Sequence, residues 1–224
     1  MLSLLTFLPL IGLPIMALLP EKYAGSHRWI ALTLTLGQLL MTLVMILPVH
    51  LAGGEMVNGM TLSLAEQHPW IFVELGGLGL IRIDYVMGID GLGFILILLC
   101  SLVMPLVVLS SWEIKDRPKT YFMLLLLLDT SLVGVFVSLD FLLFYIFYEL
   151  MLLPMFFLIG VWGGKRREYA ALKFFIYTLF GSVFMLLVLI GLLFSFTDPL
   201  ASEVAGQPVY TLNLTHLMAM GDGG

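Results

Sequence analysis

An all-α, polytopic membrane protein of about six transmembrane helices, with a small external β-hairpin between the second and third, is the fold this sequence predicts. Three observations carry that expectation. The chain is 61% hydrophobic and 11% charged with mean hydropathy +1.09, whereas soluble domains run at about half apolar and about a quarter charged. Its apolar residues fall in six long runs, near 2–19, 29–47, 87–112, 121–139, 141–162 and 172–196. About 20 helical residues cross a hydrocarbon core about 30 Å thick, so each run has the length of a span. Between the second and third runs, the alternation Ile81, Arg82, Ile83, Asp84 after Gly76-Gly77 has the period of a strand rather than a helix.

The first run, "MLSLLTFLPLIGLPIMALLPEK", lacks a basic leader and a small-x-small cleavage site and is expected to be a retained helix. The third is long enough to tilt or to begin outside the bilayer. The fourth and fifth are joined only by the residues around Asp140, which makes them a tight antiparallel hairpin. The whole reads as one membrane domain, with leading helices and the external loop over 1–112, a second group of helices over 113–197 and a tail over 198–224.

Orientation follows from the basic residues. Lys22 and Arg28 flank the first connection, Lys115, Arg117 and Lys119 occupy the third, and Lys165, Arg166 and Arg167 the fifth. Arg82 lies on the other side, and Lys173 begins the sixth span. The expectation is an N-terminus outside, odd-numbered loops in the cytoplasm or an organelle's matrix, and an external hairpin at the membrane surface. Nothing in the charge pattern suggests nucleic acid, the net charge being −5 without a long basic run. The single Cys100 offers neither a disulfide framework nor a thiolate metal site. "GGLGLIR" lacks the third glycine of a dinucleotide fingerprint, and Asn213-Leu214-Thr215 is a chance-level glycosylation triplet. His27, His50, His68 and His216 are all assigned to loops, which argues against axial haem ligation within helices.

Four residues inside spans carry chemistry. Glu149, in "LLFYIFYELMLLPMFFL", lies nine residues after Asp140, about 13 Å down a helix at 1.5 Å per residue. A carboxylate at that depth is costly unless paired, hydrated or neutral, so it reads as a proton or ion relay, or as a neutral acid that packs helices. Pro154 has no N–H for the Leu150 carbonyl and either opens the helix beside Glu149 or merely kinks it. Lys173 either snorkels to the interface or faces the bundle with Tyr177. Asp129, in "LLLLLDTSLVGVF", either partners Glu149 or hydrogen-bonds Thr130 and Ser131 as helix glue. Asp140, at the external turn, is expected to be solvated.

The stretches "HPWIFVELGGLGLIRIDYVMGIDGLGFILILL", "VVLSSW" and "SLDFLLFYIFYELMLLPMFFLIGVWGGKRREYAALKFFIYTLFGS" together closely resemble the chain M family of antiporter-like membrane-arm subunits of NADH-quinone oxidoreductase, respiratory complex I. The shared pattern is an aromatic-aromatic-x-E-x-x-x-x-P helix, a Trp-Gly loop with basic residues, and an A-x-K-F-F-I-Y-T helix start. The resemblance implies that Glu149 belongs to a chain of buried ionisable groups moving protons across the membrane, with Lys173 at the matching head of the sixth helix. It implies no cofactor or metal on this chain, with NADH, FMN, iron–sulfur clusters and quinone on partner subunits. The implied partners are other membrane-arm subunits and the lipid bilayer, and the implied location is a bacterial inner (plasma) membrane ahead of an organellar one.

Family members have about fourteen helices in two inverted repeats, whereas this sequence stops after the sixth. It then holds three leading helices and the start of the first repeat, as one product of a split gene with a companion chain or as a fragment, and lacks the family's partner lysine on the seventh helix. The rival readings are a subunit of a multisubunit cation/proton antiporter or membrane-bound hydrogenase, and a structural half-subunit without transport.

Overall fold

The computed structural model describes residues 1–20, 24–57 and 60–221; Lys22, used in the orientation argument, lies outside them. Five helices are long and apolar enough to cross a membrane among the described residues. These are α3 (Ala24–Met41, continued to Leu51), α5 (Gly91–Ser110), α6 (Pro118–Val137), α7 (Phe141–Trp162) and α8 (Arg167–Ser195). The first apolar run is not one regular helix. It is α1 (Leu2–Phe7), a 3-10 turn (Pro9–Ile11) and α2 (Gly12–Leu18) in series, because Pro9 breaks the α-helical hydrogen-bond ladder. The dihedrals at Leu8, Ile11 and Gly12 remain right-handed helical, so the segment still runs on as one rod.

Helix α3 passes through a π-helical turn, Thr42–Ile46, into α4 (Leu47–Leu51). The extra residue of that turn sets the helical phase of α4. His50 then stacks on Phe94 with ring centroids 4.2 Å apart and hydrogen-bonds Ser63 through Nδ1 at 2.5 Å.

The hairpin is larger than the alternation suggested. β1 (Glu55–Val57) pairs with β2 (Met60–Leu62), and β3 (Leu64–Glu74) pairs antiparallel with β4 (Leu80–Ile89). Gly76 and Gly79, both at positive φ, turn the chain between β3 and β4. Met87 to Ile89, assigned to the third span from sequence, complete β4 instead. Helix α5 starts only after Asp90, whose carboxylate accepts from the Gly93 N–H at 2.7 Å as an N-cap. Met87 and Ile89 are fully buried among Leu2, Leu5, Ile97, Val133 and Val137, which is why they read as part of an apolar helix. The edge strand β3 is exposed, breaks register between Pro69 and Ile71, and turns Trp70 and Phe72 outward.

Two short helices, α9 (Pro199–Ala205) and α10 (Leu214–Gly221), flank a fifth strand, β5 (Val209–Thr211), which lies parallel to β4 and completes a sheet of order β3-β4-β5. This sheet seals one end of the bundle. Glu66 of β3 reaches across to cap α1, accepting from the Leu2 and Ser3 N–H groups at 2.8 and 3.1 Å. At the opposite end, Lys119 donates to the Ala17 and Leu19 carbonyls at the end of α2, Arg167 to Val161 in the last turn of α7, and Arg28 to Ile114 in the α5–α6 connection. His27, assigned to a loop from sequence, is buried within α3.

Candidate functional site

Helix α7 exists because 22 residues of nearly uniform apolarity are punctuated at both ends. Asp140 accepts from the Leu142 N–H at 2.9 Å and the Leu143 N–H at 3.3 Å at its start, and Gly163 follows its end. The helix continues through Pro154, whose ring is buried. It packs on α6 where Gly134 lies directly against the Phe147 ring, leaving no space for a side chain at 134. It packs on α8 where Gly160 faces Ala171.

Glu149 sits near the middle of α7, half-buried, with Oε1 buried and without a hydrogen-bond partner among the described residues. Tyr145, one turn earlier, lies close to both Glu149 and Ser182 of α8. The acid therefore belongs to the α7–α8 seam. A carboxyl group with one oxygen sealed and unpartnered can take up or release a proton without first breaking a local ion pair.

Lys173 is elsewhere. Nine residues separate it from Ser182, about half a turn out of phase around α8. Its ammonium is exposed between the outward rings of Tyr169 and Tyr177, 5.9 and 5.7 Å from their centroids. No ion pair joins it to Glu149 among the described residues, and it does not face the packed side of the helices described.

Asp129 is fully buried, and its neighbours in sequence are not its hydrogen-bond partners. Thr130 and Ser131 bond their own helix, at the Leu126 and Leu127 carbonyls, since β-hydroxyls within a helix reach back one turn. Position 129 is five residues, about 140°, from the Gly134 face that meets α7. The group against the Asp129 carboxyl is the side-chain amide of Gln38 on α3, with a terminal atom 2.7 Å from Oδ2 and 3.3 Å from Oδ1. Spacing along one helix could not reveal that partner. The available signal was Gln38 itself, an amide inside the otherwise apolar "TLGQLLMTL".

Asp140 is also not solvated. The turn that carries it is stitched between the sheet and the chain beyond it: the Leu139 N–H donates to Val86, Phe141 to Leu212, and the Leu214 N–H to Leu139. Asp140 is 1% exposed, and its Oδ2 has no partner among the described residues. Burial pushes its carboxyl up to about 6, against the opposing pull of the Leu143 and Leu142 N–H groups and with the Asp84 charge adding to the rise. Asp84 itself, 2% exposed, pairs with Arg82 at 2.9 Å, so the basic residue at the sheet end is neutralised locally. Asn213 is buried, its side-chain oxygen accepting from the Thr215 N–H and hydroxyl.

Two family profiles match the chain. One described as "NADH:quinone oxidoreductase/Mrp antiporter, TM" covers residues 138–219, and one described as "NADH-ubiquinone oxidoreductase chain 4, amino terminus" covers residues 60–135. NADH-quinone oxidoreductase subunit M of Rhodobacter capsulatus is 39% identical over 197 residues, 86% of this chain and 35% of the relative. The chloroplastic NAD(P)H-quinone oxidoreductase chain 4 of Chlorokybus atmophyticus is 33% identical over 98% of this chain and 41% of its own length. Among solved structures, respiratory complex I from Thermus thermophilus with bound NADH contains a chain 25% identical, with TM-score 0.67 over 96% of this chain and 38% of that one. An archaeal membrane-bound sulfane sulfur reductase shares the fold at TM-score 0.67 and 20% identity, covering 87% of this chain and 37% of its own. The chain thus spans about a third of the length of the relatives it matches. It is a membrane protein that belongs to the antiporter-like family of NADH-quinone oxidoreductase subunit M and chain 4.

Proposed function

We propose that the chain forms the amino-terminal part of a membrane-arm subunit of a proton-translocating NADH:quinone oxidoreductase, and that Glu149 holds a proton on the buried path. The observation that carries this reading is the mid-span position of Glu149, with Oε1 sealed and unpartnered on the α7–α8 seam beside Tyr145 and Ser182. A cation brought near favours its charged form and releases the proton; exclusion of water favours the neutral form and retains it. Alternation between the two lets a distant redox event load and unload the site. Pro154, in the next turn, leaves the Leu150 carbonyl without its helical donor and supplies a polar atom for that path.

Lys173 contributes from the open face of α8, to groups packed there, rather than directly to Glu149. The redox groups, NADH, FMN, iron–sulfur clusters and quinone, reside on partner subunits, and residues 113–197 form the beginning of the first inverted repeat. The end of the bundle carrying Arg28, Lys115, Arg117, Lys119 and Lys165 to Arg167 faces the cytoplasm of a bacterium, which leaves the sheet end and the N-terminus outside.

The test is Glu149→Gln in inverted membrane vesicles that hold the intact complex. NADH oxidation by quinone is expected to persist, slowed, while NADH-driven proton uptake is lost. An unchanged proton-to-electron ratio would overturn the assignment. The description of the profile over 138–219 names the Mrp antiporter beside the oxidoreductase and favours a second reading, a module exchanging cations for protons. Ion exchange that persists without NADH and fails in the same variant would support that reading instead.

A further inference from the structure

Pro9 stands four residues after Leu5, where a continuous helix would return an N–H to the Leu5 carbonyl, and proline has none to return. Gln38 fills that place: its side-chain amide lies 3.4 Å from the Leu5 carbonyl oxygen. The other terminal atom of the same amide lies 2.7 Å from Asp129 Oδ2. Leu5, Gln38 and Asp129 are each fully buried, so each polar atom of the arrangement depends on a close partner.

The oxygen and nitrogen of an amide are told apart by their partners, and the two orientations correspond to two protonation states. With Nε2 donating to Leu5, Oε1 faces Asp129 Oδ2, and the two oxygens at 2.7 Å are joined only if Asp129 supplies the hydrogen. That separation is the usual one for an O–H···O bond. Every group is then satisfied without net charge. With the amide turned over, Nε2 donates to a carboxylate, but Oε1 faces the Leu5 oxygen, and the carbonyl freed by Pro9 is orphaned. A negative charge is then sealed in the seam. The titratable side chain facing it from α5 is Cys100, while Thr6 on α1 and Thr35 and Thr42 on α3 spend their hydroxyls on their own helices. A buried charge without a cation is strongly disfavoured.

We propose that Asp129 is a second proton-holding site, distinct from Glu149, in which the neutral acid donates to Gln38 and Gln38 donates to the Leu5 carbonyl, locking α6 to α3 and α1. Removal of the proton turns the amide over and releases the broken first helix. The occupant is a single proton, and the inference does not depend on which complex contains the chain.

Infrared spectroscopy of the full chain in membranes, with the aspartate carboxyls carbon-13 labelled, tests it. At neutral pH a protonated-carboxyl C=O band sensitive to the label is expected. It should vanish in Asp129→Asn, which remains folded because its own amide can donate to the same oxygen, and it should move to higher wavenumber in Gln38→Met, where the acid has lost its acceptor. Absence of the band, its survival in Asp129→Asn, or an unmoved band in folded Gln38→Met would each overturn the proposal. If Gln38→Met fails to fold, survival or loss of the band in Asp129→Asn still decides.

Discussion

Helices α6 and α8 are both long, apolar and of span length, yet half of the most apolar 18-residue window of α6 is buried against 11% of that of α8. On α6, Phe122, Leu126, Val133 and Val137 are fully enclosed by the leading helices and by α7. On α8, Ala171, Ser182 and Leu189 mark one narrow seam against α7, and Ile176, Tyr177, Phe180, Phe184 and Leu187 look outward. The two acids share this division. Asp129 sits in the closed region against the Gln38 amide, and Glu149 sits at the border of the open one without a partner for Oε1 among the described residues. Hydropathy measures what a helix can bury, not what is present to bury it.

The largest test of the contrast is Phe122→Ala, which empties a filled site in the closed region. A loss of about 3–5 kcal/mol in folding free energy is expected, read as a lowered unfolding midpoint in detergent. A loss below about 1 kcal/mol would mean that the region is not closed.

Asp140→Asn comes next. The folded chain holds this proton up to about 6, whereas the unfolded chain releases it near 3.8, so folding takes up a proton between those values. Stability therefore falls as pH rises through that window, by about 3 kcal/mol for about two units, and levels off above it. Asparagine preserves the N-cap without the charge, so the variant should lose this slope and exceed the parent in stability above pH 6. A slope that persists in unfolding titrations would assign it to another group.

Gly134→Val probes the border between the regions and should cost about 1–3 kcal/mol as Phe147 is displaced from α6. The smallest effect is expected for Phe180→Ala on the open face, under about 0.5 kcal/mol for the isolated chain. A larger loss in the intact membrane complex than in the isolated chain would show that a protein surface, rather than lipid, covers that face there.

The five long helices were legible because each is a sustained apolar run, and Asp140 and Gly163 mark two of their ends. The first span misled because Pro9 was absorbed into an apolar average. The end of β4 misled because Val86, Met87 and Ile89 are covered on both faces, so the strand shows no alternation there. β5 was illegible: three residues pair with a strand more than a hundred positions away, and nothing local encodes that. Of the site, the position of Glu149 along its helix followed from counting. The azimuths of Asp129 and Lys173 did not, because which side of a helix meets a neighbour depends on the packing of all of them.

The π-helical turn at Thr42–Ile46 makes the sequence itself a timing device. One residue more per turn rotates everything beyond it by about 100°, and that rotation brings His50 onto Phe94 and Ser63. A one-residue deletion there would leave every remaining side chain in the leading helices chemically unchanged and still detach the second span from the loop that leads into the sheet. In that turn the number of residues matters as much as their kind.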